Sequence, residues 1–307
     1  MQLFLDFYRE NARLFYNTQL VLAMFGMGAT SSVAQFRSVF RRPWDIALVL
    51  FLQYLLMPSV AVALAWITQL PPPMTVGLVL LASLPSGSLS NILTFLGRGN
   101  VALSITTTCA STAICLLATP IVLDAFTIGH LPEGFHMPWD QILLSIVLLL
   151  VLPLVVGMVI GSLKHSWRRP LSKLAVWGSM IAVGGVWVGA IGGGQIEILH
   201  YGWQAPALIV VFIVLSMLVT NEGMLAMGYQ KDESFTLSIE VSMRNGNLGI
   251  ALLTPLFGEL TRENDFHQGG LYSCLFGGGA MMVFGLIAVG RRHLRFALQR
   301  RAKQAIE

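Results

Sequence analysis

The chain has 307 residues, of which 55% are hydrophobic and only 11% are charged, and its formal net charge at pH 7 is +4. Soluble domains carry roughly 25% charged residues, whereas the mean hydropathy of this chain is +0.71. The composition therefore excludes a soluble globular protein and predicts a polytopic membrane protein.

Nine apolar segments follow one another along the chain, and each approaches or exceeds the ~20 residues that a helix needs to cross the hydrocarbon core. They span residues 15–33, 44–69, 74–96, 101–125, 139–162, 173–193, 204–228, 235–257 and 269–290. We therefore predict an all-α fold of nine transmembrane helices, with residues 1–307 forming a single membrane domain. The last residues, 291–307, form a basic tail, which a helix on the membrane surface explains better than a partner-binding segment does.

The loops between these segments differ in positive charge. When alternate loops are grouped by side, one side and the C-terminal tail hold fifteen Lys and Arg residues and the other side holds three. Because cytoplasmic loops are enriched in Lys and Arg, we predict an outside N-terminus and a cytoplasmic C-terminus. The pI near 9.1 then reflects loops that face anionic lipid, so no nucleic-acid partner is expected. The lack of N-glycosylation sequons favours a bacterial inner membrane.

Polar residues interrupt the third segment in LASLPSGSLSNILTFLGRGN. Pro85 removes a backbone donor and Gly87 loosens the chain, so a break in the helix is favoured here. Around this position lie Ser86, Ser88, Ser90, Asn91 and Thr94. The simpler alternative is a kinked helix whose hydroxyls bond to its own backbone.

The second and fourth segments also carry polar groups at membrane depth. Gln53 precedes Pro58 in FLQYLLMP, and its amide needs a partner there. Ser104, Thr108 and Ser111 recur at about one helical turn and so face the same way. Hydroxyls at this spacing either join helices to one another or supply oxygen ligands to a hard cation. The spacing alone does not separate these two roles.

The eighth segment contains a carboxylate in the middle of an apolar run. Glu240 is followed one turn later by Arg244, and then by Asn245, Gly246 and Asn247. A charge at membrane depth costs roughly 2.5–3.5 kcal/mol on insertion scales, so it is rarely kept there without a use. Two interrupted segments in corresponding halves of a chain are typical of a carrier with its binding site near the midplane.

Motifs for other chemistry are missing from the sequence. There is no P-loop and no HExxH, and we see no nucleophile–base pair, so we predict that the protein is not an enzyme. The three cysteines lie inside apolar segments without a CxxC pair, so neither a metal nor a disulfide is implied. A membrane sensor or receptor that does not transport is the alternative from another class.

At these residues the sequence resembles the bile acid:sodium symporter family. The resemblance is carried, in chain order, by QYLLMP, SNILTFLGRGNVALSITTTCAST and SIEVSMRNGNLGIAL. It implies two inverted repeats, at about residues 15–125 and 139–290, and a core domain with two crossed discontinuous helices beside a smaller panel domain. It also implies a secondary active transporter that carries an organic anion together with sodium by alternating access, with the substrate between core and panel.

Position by position, the resemblance implies two sodium sites and a substrate contact. The first sodium site would consist of Ser90, Asn91, Ser104, Thr108 and Glu240. The second would consist of Gln53, Glu240 and the backbone carbonyls of Val241 and Met243. Ser88 and Asn245, at the crossing of the discontinuous helices, are then candidates for hydrogen bonds to the substrate anion.

Arg244 departs from the family pattern, because the family usually has a glutamine there, in the second sodium site. A guanidinium offers no acceptor and does not coordinate sodium. Three roles are open for Arg244: it replaces the second sodium, with a salt bridge to Glu240 if the helix is intact; it binds the substrate carboxylate or sulfonate; or it packs against Glu222. One sodium ion is therefore favoured over two, with no organic cofactor. A sodium-independent or proton-coupled carrier is the alternative.

The last segment also departs from the family pattern. LYSCLFGGGAMM places Leu275, Phe276 and the glycines Gly277 to Gly279 where relatives tend to have polar or aromatic groups. We interpret these residues as an apolar wall or a close helix contact, so a small organic anion is at least as good a candidate substrate as a bile acid. The chain is expected to be a monomer or a weak homo-oligomer in the lipid bilayer. Its six histidines map to loops and segment ends and are predicted to be solvated.

Overall fold

The computed structural model describes residues 2–32, 34, 37, 41–192, 201–258 and 264–304. We number the α-helices of these residues in chain order. They are α1 (Gln2–Thr30), α2 (Pro43–Thr68), α3 (Pro72–Ser83), α4 (Ser88–Leu96), α5 (Val101–Phe126), α6 (Trp139–Leu163), α7 (Arg168–Gly192), α8 (Gln204–Ala226), α9 (Lys231–Ser242), α10 (Gly246–Phe257) and α11 (Asp265–Gln304). Each of α2 and α6 contains one π-helical turn, Leu52–Leu56 and Val147–Val151.

Six helices in the described ranges are long and apolar enough to cross a membrane, namely α2, α5, α6, α7, α8 and α11. The shorter apolar helices α3 and α10 have 12 residues each. Helix α4 follows α3 after a short break, and α10 follows α9 in the same way. The prediction of an all-helical polytopic membrane protein is thus confirmed.

Two helix ends differ from the positions that hydropathy indicates. Helix α1 begins at Gln2, well before residue 15, and α11 continues without interruption through residues 291–304. The basic tail is therefore, as far as the structure describes it, an extension of the last helix rather than a separate surface helix. Hydropathy measures how well a segment fits into lipid, whereas polar and basic residues also form helices in water.

The first helix bends sharply near its start. Asn11 has non-helical backbone angles, φ −123° and ψ 19°. The ring centroids of Phe4 and Phe15 lie 6.1 Å apart, although 11 residues of straight helix would rise ~16 Å. The Tyr8 ring packs on Gly189 of α7, where a Cβ atom would collide with it. Gly189 therefore allows α1 and α7 to pack closely.

The glycines of α11 also allow close helix contacts. A Cβ atom at Gly277 would lie 2.6 Å from a Leu81 methyl group of α3, and one at Gly279 would lie 2.7 Å from the Trp187 ring of α7. Gly278 has no such neighbour within 4 Å. Of the two interpretations of this segment, a close helix contact is thus the one that Gly277 and Gly279 support.

The helices pack in two groups. Helix α1 packs against α6 and α7 in the first group. In the second, α11 packs against α3, α8 and α10, while α9 packs against α8, α4 and α5. The groups contact each other where α10 meets α1 and α6, where α1 meets α4, where α5 meets α6, and where the Trp187 ring of α7 lies against α11. The interrupted helices α3–α4 and α9–α10 both belong to the second group.

The two helix breaks pair with each other through the backbone. The N–H of Gly87 donates to the carbonyl of Met243 at 3.0 Å, and the N–H of Asn245 donates to the carbonyl of Pro85 at 2.9 Å. These bonds form a short antiparallel bridge. A helix break in an apolar interior leaves backbone groups unsatisfied. Each break here supplies the partners that the other lacks.

Candidate functional site

The carboxylate of Glu240 lies at the centre of the candidate site. It projects from the last turns of α9, just before the break, and its exposed fraction is 0%. The hydroxyl of Ser104 donates to Oε1, and the hydroxyl of Thr108 donates to Oε2 at 2.9 Å. Both donors come from α5, where a spacing of one turn places them on the same face.

Helix α4 contributes the next polar groups, because Ser90 and Asn91 lie in its first turn, directly after the break. Asn91 Oδ1 lies 2.9 Å from the Ser104 hydroxyl oxygen, and Asn91 Nδ2 donates to Thr108 Oγ1 at 3.3 Å. The hydroxyl of Ser90 donates to the carbonyl of Gly87 at 2.8 Å and lies within reach of the Glu240 carboxylate. The structure thus brings together all five residues of the first predicted sodium site.

The chemistry of this group suits a hard monovalent cation. Within the described part of the chain, Glu240 forms no ion pair, and its carboxylate contacts neutral hydroxyl groups. A carboxylate, an amide carbonyl and several hydroxyls are the oxygen ligands that hard cations prefer. A buried carboxylate is costly unless it is paired, and a bound cation would meet that need.

Gln53, in the π-helical turn of α2, contacts residues at both helix breaks. Its Nε2 donates to the hydroxyl of Ser86 at 2.7 Å and to the backbone carbonyl of Glu240 at 3.2 Å. That carbonyl has lost its helical partner, because the N–H of Arg244 points to the sulfur of Met281 at 3.3 Å. Gln53 Oε1 is buried and has no hydrogen-bond partner among the described residues.

The second predicted sodium set is only partly assembled. Gln53 turns its amide nitrogen, rather than its oxygen, toward the backbone of Glu240. The carbonyl of Met243 already accepts from the N–H of Gly87. The buried Val241 lies in the last turn of α9. In a continuous helix, the N–H of Asn245 would donate to the carbonyl of Val241. Here that N–H donates to the carbonyl of Pro85 in the other break, so the Val241 carbonyl lacks its helical partner.

Arg244 lies inside the break between α9 and α10 and is only 5% exposed. Its guanidinium donates to the backbone carbonyl of Leu84 at 3.0 Å and to that of Gln53 at 3.3 Å. In the described part of the chain, neither Glu240 nor Glu222 forms an ion pair with it. The proposed salt bridge to Glu240 requires an intact helix, and α9 ends before Arg244. Glu222, the acid named for the third role, is exposed on α8.

The substrate candidates lie where the helices α4 and α10 begin. Asn245 caps α10, since its Oδ1 accepts from the N–H of Leu248 at 3.3 Å. Its Nδ2 is buried and has no acceptor among the described residues, and the same holds for Nε of the neighbouring Arg244. The backbone of Ser88 begins α4, and its side chain lies outside the described part. Two buried donors that are unpaired within the described ranges thus belong to adjacent residues at the start of α10, and the start of α4 is joined to this break by backbone bonds.

Ser86 and Ser111 bond at the first helix break, although neither belongs to a predicted sodium or substrate site. Ser86 donates from its hydroxyl to the carbonyl of Glu240 at 3.1 Å, and its N–H donates to the hydroxyl of Ser111 at 3.3 Å. The polar interruption PSGS is the sequence signal for Ser86.

The prediction that the histidines are solvated is wrong for His267, which is 3% exposed and whose Nδ1 lies 2.8 Å from the carbonyl of Gly258. Its position near a helix start does not reveal that it packs on the end of α10.

Apolar helices of membrane-spanning length, packed around a buried polar centre between two helix breaks, define a multi-pass membrane protein of the transporter class. Residues 18–200 match the model of the Sodium Bile acid symporter family. Because this match covers more than half of the chain, the protein belongs to that family, and the resemblance is confirmed. It is therefore a membrane transport protein and not an enzyme.

Several relatives are similar over most of this chain. The "Uncharacterized sodium-dependent transporter YocS" of Bacillus subtilis is 29% identical over 79% of this chain and 74% of its own length. The "Probable sodium/metabolite cotransporter BASS1, chloroplastic" of Arabidopsis thaliana is 30% identical over 78% of this chain and 59% of its own length. The "Sodium-dependent organic anion transporter" of Rattus norvegicus is 29% identical over 77% of this chain and 63% of its own length. The match therefore spans less than two thirds of the plant and rat proteins.

Proposed function

We propose that the protein is a sodium-coupled symporter of an organic anion that works by alternating access. The observation that carries this proposal is the buried carboxylate of Glu240, whose described contacts are neutral oxygen groups. The relatives support sodium as the coupling ion, because their names describe sodium-dependent transporters and a sodium/metabolite cotransporter. A bacterial inner membrane is the proposed location, supported by the relative from Bacillus subtilis.

The sodium ion binds at the carboxylate of Glu240 in this proposal. Asn91, Ser104 and Thr108 supply the carbonyl and hydroxyl oxygens that replace the hydration shell, and Ser90 lies beside them. These groups come from α4, α5 and α9. A bound ion therefore ties the two interrupted helices to the continuous helix α5, which fixes the crossing before the anion binds.

The anion binds at the crossing, next to the sodium. Asn245 Nδ2 and Arg244 Nε are buried donors without acceptors in the described structure, and an anionic oxygen satisfies both. The N-terminal ends of α4 and α10 add positive backbone dipoles, and Ser88 begins the first of these helices. A carboxylate or sulfonate of a small organic anion is the substrate group that this geometry favours.

We extend the proposal to topology. The units α3–α4 and α9–α10 each count as one interrupted transmembrane helix, which with α1, α2, α5, α6, α7, α8 and α11 gives nine crossings in two inverted repeats. We call α1, α6 and α7 the panel group and the remaining helices the core group. The N-terminus then lies outside and the C-terminus in the cytoplasm, because fifteen of the Lys and Arg residues fall on the cytoplasmic side.

Melting of the purified protein tests this proposal without a substrate. Sodium is varied at constant ionic strength against potassium, for the wild type and for Glu240→Gln. A ligand that binds only the folded state stabilises it by RT ln(1 + [L]/Kd), so the wild type is expected to melt at a higher temperature in sodium. Glu240→Gln is expected to abolish the sodium-specific rise. An equal rise in the variant would place sodium elsewhere and end the proposal for this site.

A second candidate function is a sodium-independent or proton-coupled anion carrier. The position of Arg244 favours it, because a fixed guanidinium already bonds to two backbone carbonyls beside the site. The same melting experiment separates the two functions when Arg244→Gln is included. A sodium response that is missing in the wild type and appears in Arg244→Gln would establish the sodium-independent carrier.

A further inference from the structure

Two full charges lie in the buried site and do not pair with each other. The carboxylate of Glu240 bonds to hydroxyls of α5, whereas the guanidinium of Arg244 bonds to backbone carbonyls at the end of α3 and in the π turn of α2. Both side chains are buried, with exposed fractions of 0% and 5%. The site therefore has two separate charged positions. The negative one, at Glu240, is bonded to hydroxyl groups, and the positive one, at Arg244, is bonded to backbone carbonyls.

The position of Arg244 has the geometry of a cation position. A helix break and a π turn both release carbonyl oxygens from regular hydrogen bonding, and such oxygens are typical ligands of ions in carriers. Here Leu84 and Gln53 direct two such carbonyls at one guanidinium. A sodium ion beside these carbonyls would face a fixed positive charge at short range. The carbonyl position is thus closed to sodium, while the carboxylate position stays open.

We infer that the carrier binds a single sodium ion per cycle, at Glu240, and that Arg244 acts as a permanent second positive charge of the site. This inference rests on the proposed function and adds its ion count. With sodium bound, the charges of Glu240, Arg244 and the ion sum to one positive charge. That charge matches one monovalent anion. Because the two side chains never leave the protein, one sodium and one monovalent anion then cross without net transfer of charge.

Direct binding of radioactive sodium to the purified protein tests the ion count. Binding is measured to saturation at fixed ionic strength, with choline as the replacement cation, for the wild type, Arg244→Gln, Arg244→Lys and Glu240→Gln. The expected stoichiometry is one sodium per wild-type chain with a Hill coefficient of one. Arg244→Gln is expected to bind two ions with a Hill coefficient above one, because the position at the carbonyls of Leu84 and Gln53 is released.

The control variants keep the result interpretable. Arg244→Lys retains the positive charge and is expected to stay at one ion, so a count of two in this variant contradicts the inference. Glu240→Gln is expected to bind none. Each variant must elute as a monodisperse peak, and if Arg244→Gln does not, the count of one against two on the wild type carries the test.

The outcomes also separate this inference from the function on which it rests. Two ions on the wild type, or one ion on both the wild type and Arg244→Gln, would overturn the inference while leaving sodium symport in place. No sodium on the wild type and one on Arg244→Gln would overturn the count of one and support the sodium-independent carrier. No sodium on any variant would remove the proposed sodium symport itself.

Discussion

Hydroxyl side chains at the site differ in what they bond to, although their residue types and burial are alike. Thr108 donates to the carboxylate of Glu240 and accepts from Asn91. Its neighbour Thr107, equally buried on α5, donates to the backbone of its own helix, at the carbonyls of Leu103 and Ser104. The hydroxyl of Thr108 also lies 3.0 Å from the carbonyl of Ser104 in its own helix. The two threonines therefore share a bond to the α5 backbone, and only Thr108 also reaches the carboxylate of Glu240.

We predict that Thr108→Val weakens sodium binding about tenfold, because it removes one oxygen from the ion's ligands; a factor of ten corresponds to ~1.4 kcal/mol. Valine keeps the shape of threonine, so packing changes little. The measurement is the sodium dependence of the melting temperature. Thr107→Val is the matched control and is expected to leave the sodium affinity unchanged. Similar losses in both variants would show that burial of a hydroxyl, rather than its position, matters here.

The residues of the site differ in how far sequence predicts them. Glu240, Asn91, Ser104 and Thr108 stand out because each is polar in an apolar segment, and the structure brings them together. The partners of Arg244 are not predictable in this way. They are backbone carbonyls, which exist at every position, and their availability depends on where helices break. Local spacing suggested a pair with Glu240, which the break prevents.

At the scale of whole elements, the extension of α11 joins both interrupted helices at one end. Arg292 donates to the carbonyl of Lys231 at 2.9 Å, in the first residue of α9, and to that of Arg98 at 3.2 Å, after α4. Its guanidinium also lies 4.7 Å from the ring centroid of Phe235. A ring nitrogen of His293 lies 2.7 Å from the carbonyl of Leu96. Cations stabilise the carbonyl end of a helix, so α11 caps α4.

Arg292→Ala is accordingly expected to lower the melting temperature by a few degrees. It removes two hydrogen bonds from a charged donor, each worth ~1.5–3 kcal/mol when fully formed, and the partial exposure of Arg292 reduces this value. Sodium affinity should fall as well, because α4 and α9 carry the ion ligands. Arg295→Ala, one turn further along and exposed, serves as the control. An unchanged melting temperature in Arg292→Ala would show that the cap adds no stability.

The elements themselves show where sequence-based prediction succeeds and fails. The breaks after Ser83 and Ser242 are accompanied by Pro, Gly, Asn and Ser, which disfavour a continuous helix. The π turn at Leu52–Leu56 has no such residues within it, but it ends two residues before Pro58, whose missing N–H removes a regular helical bond. The second π turn, Val147–Val151, ends two residues before Pro153 in the same way. The extension of α11 is polar and basic, so hydropathy ends the segment where the helix continues.

The whole molecule combines a buried site with two groups of helices that share a limited boundary. The panel group meets the core group mainly at α10, and α10 begins at the site. In the proposed mechanism, a displacement of one group against the other changes access to the crossing and leaves the bonds between the two breaks in place. This arrangement suits alternating access around a fixed site.

At this scale we predict that transport of a monovalent anion is insensitive to membrane potential. One net charge moving through ~100 mV is worth ~2.3 kcal/mol, so a carrier that moves net charge responds strongly. The measurement is uptake into proteoliposomes, under potassium diffusion potentials set with valinomycin, of a monocarboxylate that raises the melting temperature in sodium. Uptake by Arg244→Gln is expected to increase when the interior is negative. The same increase in the wild type would contradict the single-sodium count.

The backbone pairing between the two breaks also has a consequence for biogenesis. Pro85 and Gly87 find their partners in Asn245 and Met243, which emerge from the ribosome much later. Until then, the first break exposes polar backbone groups that lipid does not satisfy. We therefore expect helices α3 and α4 to reach a stable position in the bilayer only after α9 and α10 arrive. The second half of the chain thus determines when the first half completes its insertion.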